Sequence, residues 1–196
     1  MRFEFPLDTI LGTQSRVKTL RVLCRFPSKE FTGRELARLA RASAPQANQA
    51  LGELEQAGLV HRRGAGAAIL WQLRTENVLI PMIRELFARE STLKEDLIKT
   101  IRSGLPTSRV ARAVLYGSVA RGKEGGESDV DLFIEVADDS EKDVVGPALE
   151  QLGSKIYQRF GIPLSTIMYS SHEVKRPRNP RLMRNIDSEG LVIEQR

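Results

Sequence analysis

Two carboxylates two residues apart carry the strongest chemical signal in this chain. Asp129 and Asp131 lie on either side of Val130, and an apolar run at 132–134 follows them. On a strand, residues i and i+2 point to the same face, about 6 to 7 Å apart along the chain. Two carboxylates at that distance repel each other unless a cation lies between them, and oxygen ligands suit Mg²⁺. The pair is therefore a candidate magnesium site.

A glycine–serine pair upstream adds groups that can hold phosphate. Gly117 and Ser118 follow an apolar run at 114–116, which predicts a strand ending in a tight turn that opens a helix. Glycine lets the backbone approach an anion closely, Ser118 offers a hydroxyl, and the amides of a helix start can face a phosphate. A phosphate cradle that faces a magnesium pair predicts a site for a nucleoside triphosphate.

These residues resemble the signature of the minimal nucleotidyltransferases of the DNA polymerase β superfamily. The likeness covers 114–136 and rests on Gly-Ser at 117–118, Ala-Arg-Gly at 120–122 and Ser-Asp-Val-Asp-Leu at 128–132. It implies a mixed sheet with flanking helices that binds a nucleotide and Mg²⁺. The site residues that it implies are Asp129 and Asp131 as catalytic metal ligands, with Gly117, Ser118, Arg121 and Ser128 as nucleotide contacts.

The third carboxylate of that family has no clear counterpart in this sequence. In the family it lies on a later strand, which here should span 163–169 after a helix near 141–160, and that segment contains no acidic residue. Glu173 lies beyond the strand, and Glu135 lies about 13 Å from Asp131 along its own strand. Two-metal phosphoryl transfer needs ligands for both ions and activation of the attacking hydroxyl. The sequence therefore predicts nucleotide binding and leaves transfer open.

The first 75 residues contain three helical patterns followed by a hairpin pattern. Apolar residues recur at helical spacing in each of the three, and two of the helices begin with capping residues. Two short strand patterns then flank a glycine-containing turn. The predicted elements are a helix over 15–26, a short helix capped at 32–35, a helix from Ser43 to Gly58, and strands at 59–63 and 68–73.

This order is that of a winged helix-turn-helix, and residues 49–60 resemble bacterial transcription regulators of that class. The resemblance implies that the third helix enters the major groove of double-stranded DNA while the wing contacts the backbone or the minor groove. A winged helix used for protein contacts or dimerisation is the alternative, because the third helix has no basic residue. The candidate DNA-binding residues are Pro45, Gln46, Asn48 and Gln49, which can reach base edges, and Arg41, Arg62 and Arg63, with Arg38, which can meet phosphates.

The positive charge of the chain is concentrated in its first part. Residues 1–75 carry 12 lysines and arginines against 6 aspartates and glutamates, whereas residues 76–196 carry 18 against 19. Such an asymmetry favours a nucleic-acid partner for the basic part, although exposed lysines and arginines are common on any surface.

The region between the two patterns predicts one or two helices with an apolar stripe. Since operators are usually read by symmetric dimers, the stripe favours packing against a second copy, that is, a homodimer. A connector that packs on its own two domains explains the stripe equally well. The fold class is α/β in the α+β sense, with a winged helix-turn-helix at 1–75, a helical connector at 76–105 and a nucleotidyltransferase-like domain at 106–196.

The remaining features favour a cytoplasmic protein without a membrane partner. No stretch approaches the roughly 20 apolar residues that a membrane span needs, and the start lacks the long apolar core of a signal peptide. Cys24, the only cysteine, falls on a helical apolar stripe and is interpreted as a core residue. His61 and His172 are isolated in the sequence, which argues against a zinc site.

Two functional hypotheses follow. The first is a DNA-binding transcriptional regulator whose nucleotidyltransferase-like domain binds Mg-nucleotide as an effector or is degenerate. The second is an active nucleotidyltransferase that transfers a nucleoside monophosphate to a protein, small-molecule or RNA acceptor, with the winged helix as a targeting module. By family resemblance, a toxin–antitoxin system is one setting for the second. The missing third carboxylate favours the first.

Overall fold

The computed structural model describes residues 11–122 and 129–195. By their contacts, these residues separate into two compact units whose boundary falls between Ser91 and Thr92. The boundary divides the predicted connector, 76–105, so that each unit contains one of its two helices. The predicted fold class is confirmed, because helices with a small antiparallel sheet precede a mixed sheet with flanking helices.

Reciprocal side-chain caps start the two helices of the helix-turn-helix. The Thr32 hydroxyl accepts a hydrogen bond from the backbone N–H of Glu35, whose carboxylate accepts one from the N–H of Thr32. Ser43 and Gln46 form the same cap on the following helix. Each cap satisfies two backbone donors that a helix N-terminus leaves unpaired. The elements of this unit are α1 (Gln14–Arg25), β1 (Phe31–Thr32), α2 (Gly33–Leu39), α3 (Ala44–Gln56), β2 (Val60–Ala65), β3 (Ala68–Leu73) and α4 (Ile80–Ser91).

The sheet of this unit is antiparallel, in the order β1–β3–β2. Strands β2 and β3 form the predicted hairpin, with Ala65 opposite Ala68 next to the turn. Strand β1 places Phe31, which is fully buried, opposite Trp71. The sequence did not predict β1, because two residues are too few to show an alternating pattern. The helices pack onto this sheet through a core that includes Leu23, Leu36, Leu51 and Leu73.

Helix α4 is buried along one side in the same unit. Ile80 and Phe87 are part of its core. Arg21 on α1 donates hydrogen bonds to both carboxylate oxygens of Glu90, at 2.9 and 3.2 Å. Met82 lies on the opposite side and is 66% exposed. The apolar stripe of α4 is therefore only partly covered within the unit.

The second unit is built on a mixed sheet in the order β6–β5–β4–β7. Strand β5 is antiparallel to β4 and parallel to β6, and β7 is antiparallel to β4. The parallel pair is joined by a long helix, as a crossover between parallel strands requires. The elements are α5 (Leu93–Gly104), β4 (Val110–Tyr116), α6 (Gly117–Arg121), β5 (Val130–Val136), α7 (Asp139–Phe160), β6 (Leu164–Ser170), α8 (Ser171–Lys175), α9 (Pro180–Glu189) and β7 (Leu191–Gln195).

The two faces of this sheet bury different clusters. Leu132 and Ile134 of β5 pack in the larger cluster, to which α5 and α7 contribute. Phe133, between them, points to the other face and packs with Met183 of α9. Because side chains alternate along a strand, Asp131 lies on the same face as Phe133. The sheet thus places the predicted carboxylate on the face that α9 partly covers.

None of the described helices is both long and apolar enough to span a membrane. The longest, α7, has 22 residues and carries charged residues from its first turn to its last.

Candidate functional site

The turn between β4 and α6 brings a carboxylate against a glycine. Gly117 has a φ of +77°, a left-handed conformation that residues with a side chain rarely adopt. A Cβ atom added there would collide with Oδ2 of Asp131 on the neighbouring strand. Glycine is therefore required at this position both for its backbone conformation and for the close approach of the carboxylate.

Asp131 is half-buried between two neighbouring strands. It lies opposite Tyr116 on β4 and opposite Ser165 on β6. Burial raises the pKa of Asp131, the negative charge of Asp129 raises it further, and Arg121 opposes the shift. Burial also raises the pKa of Tyr116 to about 12, with added contributions from Asp131 and Tyr169. The ionised form of Asp131 is thus under-stabilised here, as expected of a carboxylate that a cation would neutralise.

The structure places the second aspartate immediately beside the strand. Asp129 precedes the first residue of β5 and is exposed. Its effect on the pKa of Asp131 shows that the two charges interact. Two carboxylates on one short segment can supply oxygen ligands to one Mg²⁺, and the cation would remove the repulsion between them. The described residues therefore fit a single magnesium ion held by Asp129 and Asp131.

One of the predicted phosphate contacts, Arg121, is paired with a carboxylate of this chain. Ser118 is half-buried in the first turn of α6. The guanidinium of Arg121 forms an ion pair of 3.0 Å with Glu189 on α9. A phosphate that binds Arg121 would therefore have to displace the Glu189 carboxylate. Ser128, the remaining predicted contact, lies outside the described residues.

The parallel register identifies the residue beside Asp131. Phe133 and Tyr169 pack edge to face with ring centroids 5.8 Å apart, which shows that β5 and β6 present these positions to one face. Counting back along each strand by an even number of residues puts Asp131 and Ser165 on that same face. The residue next to Asp131 on the neighbouring strand is therefore Ser165, whose side chain is a neutral hydroxyl.

The two acids considered from the sequence lie elsewhere. The Glu135 carboxylate accepts a hydrogen bond of 2.9 Å from the Ser171 hydroxyl. Glu173 pairs with Lys142 and caps α8 through Ser170 at the far end of β6. Among the described residues, no group of three or more His, Cys, Asp or Glu side chains could hold a metal ion.

The candidate DNA-reading residues lie at the start of α3, and all are exposed. Gln46 closes the helix cap with Ser43, as described above. The Gln49 amide donates to Oε1 of Glu53 at 3.1 Å. The side-chain oxygen of Asn48 lies against Gly33 at the start of α2. Pro45 occupies the first turn, where proline suits a helix.

Both predicted wing arginines are paired with carboxylates. Arg63 donates two hydrogen bonds of 2.6 Å to Glu30, which lies just before β1. These bonds lower the pKa of the Glu30 carboxyl. Arg62 forms an ion pair of 3.2 Å with Glu55 on α3. Sequence reasoning missed both partners, because they come from segments that only the tertiary fold brings to the hairpin.

Arg41 lies in the turn between α2 and α3 in a left-handed conformation, with φ of +50°. Its backbone N–H donates to the Arg38 carbonyl, and the N–H of Ala42 donates to the Ala37 carbonyl. These two bonds define a Schellman cap, in which the left-handed residue is usually glycine. The side chain lines a polar cleft of about 460 Å³. The other residues of the cleft are Thr13, Gln14, Ser15, Lys18, Ala42, Gln46 and Gln49.

Comparison with known proteins supports the assignment of the second unit. Residues 95–178 match the nucleotidyltransferase domain family. This segment contains the Gly117 turn, both aspartates and all of β6. The resemblance inferred from the short motif therefore extends over most of the second unit, from α5 to the segment before α9. Comparison with curated proteins gives no match.

Solved structures give weaker likenesses. A toxin–antitoxin with AMP-PNP is 19% identical over 53% of this chain and 73% of that chain, with a TM-score of 0.36. MepR, a transcription regulator of a Staphylococcus aureus multidrug efflux pump, is 19% identical over 54% of this chain and 75% of its own, with a TM-score of 0.40. A Lactococcus lactis ZitR mutant is 14% identical over 74% and 75%, at 0.38. At these scores, the winged helix-turn-helix assignment rests on the order of elements in the chain itself.

Proposed function

We propose that this chain is a DNA-binding transcriptional regulator whose nucleotidyltransferase domain binds Mg-nucleotide without efficient transfer. The winged helix-turn-helix at 1–75 would read double-stranded DNA. The domain at 106–196 would bind a nucleoside triphosphate as an effector. The helices at 76–105 would join them, and the exposed apolar residues of α4 would favour a homodimer, the usual form in which operators are read.

The observation that carries this proposal is the neighbour of Asp131. Phosphoryl transfer with two metal ions needs ligands that place both ions and a group that activates the attacking hydroxyl. Ser165 stands beside Asp131 on the same face of the sheet. A serine hydroxyl is neutral at pH 7, so it neither accepts the proton readily nor replaces a carboxylate as a cation ligand. Binding is retained under this arrangement, and transfer is lost.

The residues that would hold the nucleotide follow from the geometry. Asp129 and Asp131 would hold Mg²⁺, which supplies a positive charge for the phosphates. Ser118 would donate its hydroxyl, and Arg121 would exchange Glu189 for a phosphate oxygen. The close approach of Asp131 to the glycine turn keeps the metal and phosphate ligands adjacent.

A calorimetric titration tests this site. Each nucleoside triphosphate is titrated with Mg²⁺ into the wild-type chain and into Asp129→Asn/Asp131→Asn. We expect binding to the wild type that the double variant loses. Asp143→Asn is the matched control, because Asp143 is exposed on α7 in the same unit. Equal binding by all three proteins would remove the aspartates from the site.

An active nucleotidyltransferase is the second candidate. It is favoured by the glycine turn and the carboxylate of Asp131, which are in close contact as an anion and metal site requires. Transfer of a nucleoside monophosphate to a protein, small-molecule or RNA acceptor releases pyrophosphate whatever the acceptor is. Aspartate-dependent pyrophosphate release by the wild type would establish this candidate and overturn the first.

A further inference from the structure

The arginines predicted to contact DNA, taken together with Arg34 of α2, fall into two groups. The wing arginines are held by Glu55 and Glu30, as described above. Arg34, Arg38 and Arg41 are exposed, and none of them forms an ion pair with a carboxylate in the described part of the chain. The guanidinium groups of the second group are therefore not bonded to a carboxylate among the described residues, although the charge of Arg38 helps to lower the pKa of Glu35.

The geometry of α2 puts two of these arginines side by side. Arg34 and Arg38 are four residues apart on a helix, so their side chains leave from the same face. In a helix-turn-helix, the helix that precedes the recognition helix crosses the DNA backbone. Arg34 and Arg38 are thus on the helix that passes over the phosphates.

Arg41 extends this face into the turn that leads to α3. It occupies the glycine position of the Schellman cap, although a left-handed conformation is unfavourable for a residue with a Cβ. Residues held in unfavourable backbone conformations cluster at binding and active sites. The cleft that Arg41 lines also contains Gln46 and Gln49 of α3. A phosphate held by Arg41 would therefore lie next to the side chains predicted to read bases.

We propose that Arg34, Arg38 and Arg41 supply the main phosphate contacts of this chain, and that the wing arginines contribute little while Glu30 and Glu55 hold them. The ligand is the sugar–phosphate backbone of duplex DNA. This inference rests on the proposed DNA-binding function. It differs from the sequence-based expectation, in which Arg62 and Arg63 contact phosphates together with Arg38 and Arg41, and Arg34 has no role.

Fluorescence anisotropy tests the proposed difference between the two groups of arginines. A labelled mixed-sequence DNA duplex is titrated over a series of salt concentrations. Each phosphate contact contributes about 0.9 to the slope of log affinity against log salt. For Arg34→Ala/Arg38→Ala/Arg41→Gly we expect the slope to fall by about 2 to 3 and the affinity to drop by more than about tenfold at low salt. For Arg62→Ala/Arg63→Ala we expect a loss of less than about threefold.

Three further variants sharpen the result. Glu30→Gln/Glu55→Gln releases the wing arginines, and we expect it to raise both the affinity and the salt slope. Arg74→Ala is the matched control, because Arg74 is exposed at the base of the hairpin, away from its turn. Arg41→Gly alone should weaken binding without lowering the midpoint of thermal unfolding, which separates a lost contact from a damaged fold.

Each alternative outcome has a definite meaning. If Arg62→Ala/Arg63→Ala loses as much DNA affinity as the triple variant of Arg34, Arg38 and Arg41, the proposed difference between the two groups of arginines is wrong, while DNA binding itself still stands. Unchanged DNA affinity of the triple variant would likewise show that Arg34, Arg38 and Arg41 do not supply the main phosphate contacts. Failure of the wild-type chain to bind any duplex, at low salt, would overturn the DNA-binding function and this inference together.

Discussion

The candidate nucleotide site around Asp131 and the proposed DNA-binding face of α2, α3 and the wing differ in what positions their side chains. In the candidate nucleotide site, the backbone positions the side chains, because the turn at Gly117 and the register of β5 with β6 fix where Asp131 lies. On the DNA-binding face, ion pairs between exposed side chains decide which arginines are available. A local motif can thus predict the geometry of a site that the backbone sets. It is a poor guide where exchangeable surface charges set it.

The largest expected effect is that of a substitution at Gly117, where the backbone conformation sets the candidate nucleotide site. Gly117→Ala should lower the free energy of unfolding of the second unit by about 3 kcal/mol, because it adds left-handed strain and a collision with Asp131. Chemical denaturation measures the change. Gly146→Ala in α7 is the control, since nothing lies within 4 Å of the added Cβ, and it should stabilise the helix by roughly 0.5 to 1 kcal/mol. Equal effects of the two substitutions would contradict the role given to Gly117.

The next effect concerns the charge of Asp131. Its pKa is raised by burial and by Asp129, so the ionised carboxylate destabilises the fold above that raised pKa and does not do so below the ordinary aspartate pKa. Asp131→Asn should therefore be more stable than the wild type at pH 7, with a difference that shrinks as the pH falls. Urea midpoints across this range measure it.

Magnesium provides the control for that prediction. Mg²⁺ should raise the stability of the wild type at pH 7 and leave Asp131→Asn unchanged, since a ligand that binds the folded form stabilises it. A variant that is less stable than the wild type at pH 7, or a difference independent of pH, would show that the carboxylate is already satisfied within the chain.

The smallest expected effect concerns the backbone conformation of Arg41 on the proposed DNA-binding face. Arg41→Gly should leave the stability of the first unit unchanged or raise it by up to about 1 kcal/mol, because glycine adopts the left-handed conformation without strain. Arg38→Gly, three residues earlier inside α2, should lower it by about 1 kcal/mol. Thermal unfolding of both variants provides the comparison, and destabilisation by Arg41→Gly would show that the arginine side chain supports the fold.

Much of the architecture was predictable because it is encoded locally. The alternation of β5, the caps at Thr32 and Ser43, and the glycine after α7 each fix an element within a few residues of sequence. The order of these elements predicted both the winged helix-turn-helix and the mixed sheet.

The features that the sequence did not reveal depend on distant residues. Ser165 became the neighbour of Asp131 only through the strand register, which the packing of α7 helps to set. Glu30 is 33 residues from its partner Arg63 in sequence, and Glu55 lies on the helix that precedes the wing, so both pairs depend on how the helices and the hairpin pack. The division of the connector after Ser91 likewise depends on which core each helix joins.

Measurement of pyrophosphate release distinguishes nucleotide binding without transfer from nucleotidyl transfer. The wild type, Ser165→Asp and Asp129→Asn/Asp131→Asn are incubated with Mg²⁺ and each nucleoside triphosphate, with RNA and protein present as acceptors. We expect the wild type to bind nucleotide yet to release no more pyrophosphate than the double variant. We also expect Ser165→Asp, with a third carboxylate beside Asp131, to release more. Release by the wild type well above that of the double variant would contradict the account and identify the chain as an active nucleotidyltransferase.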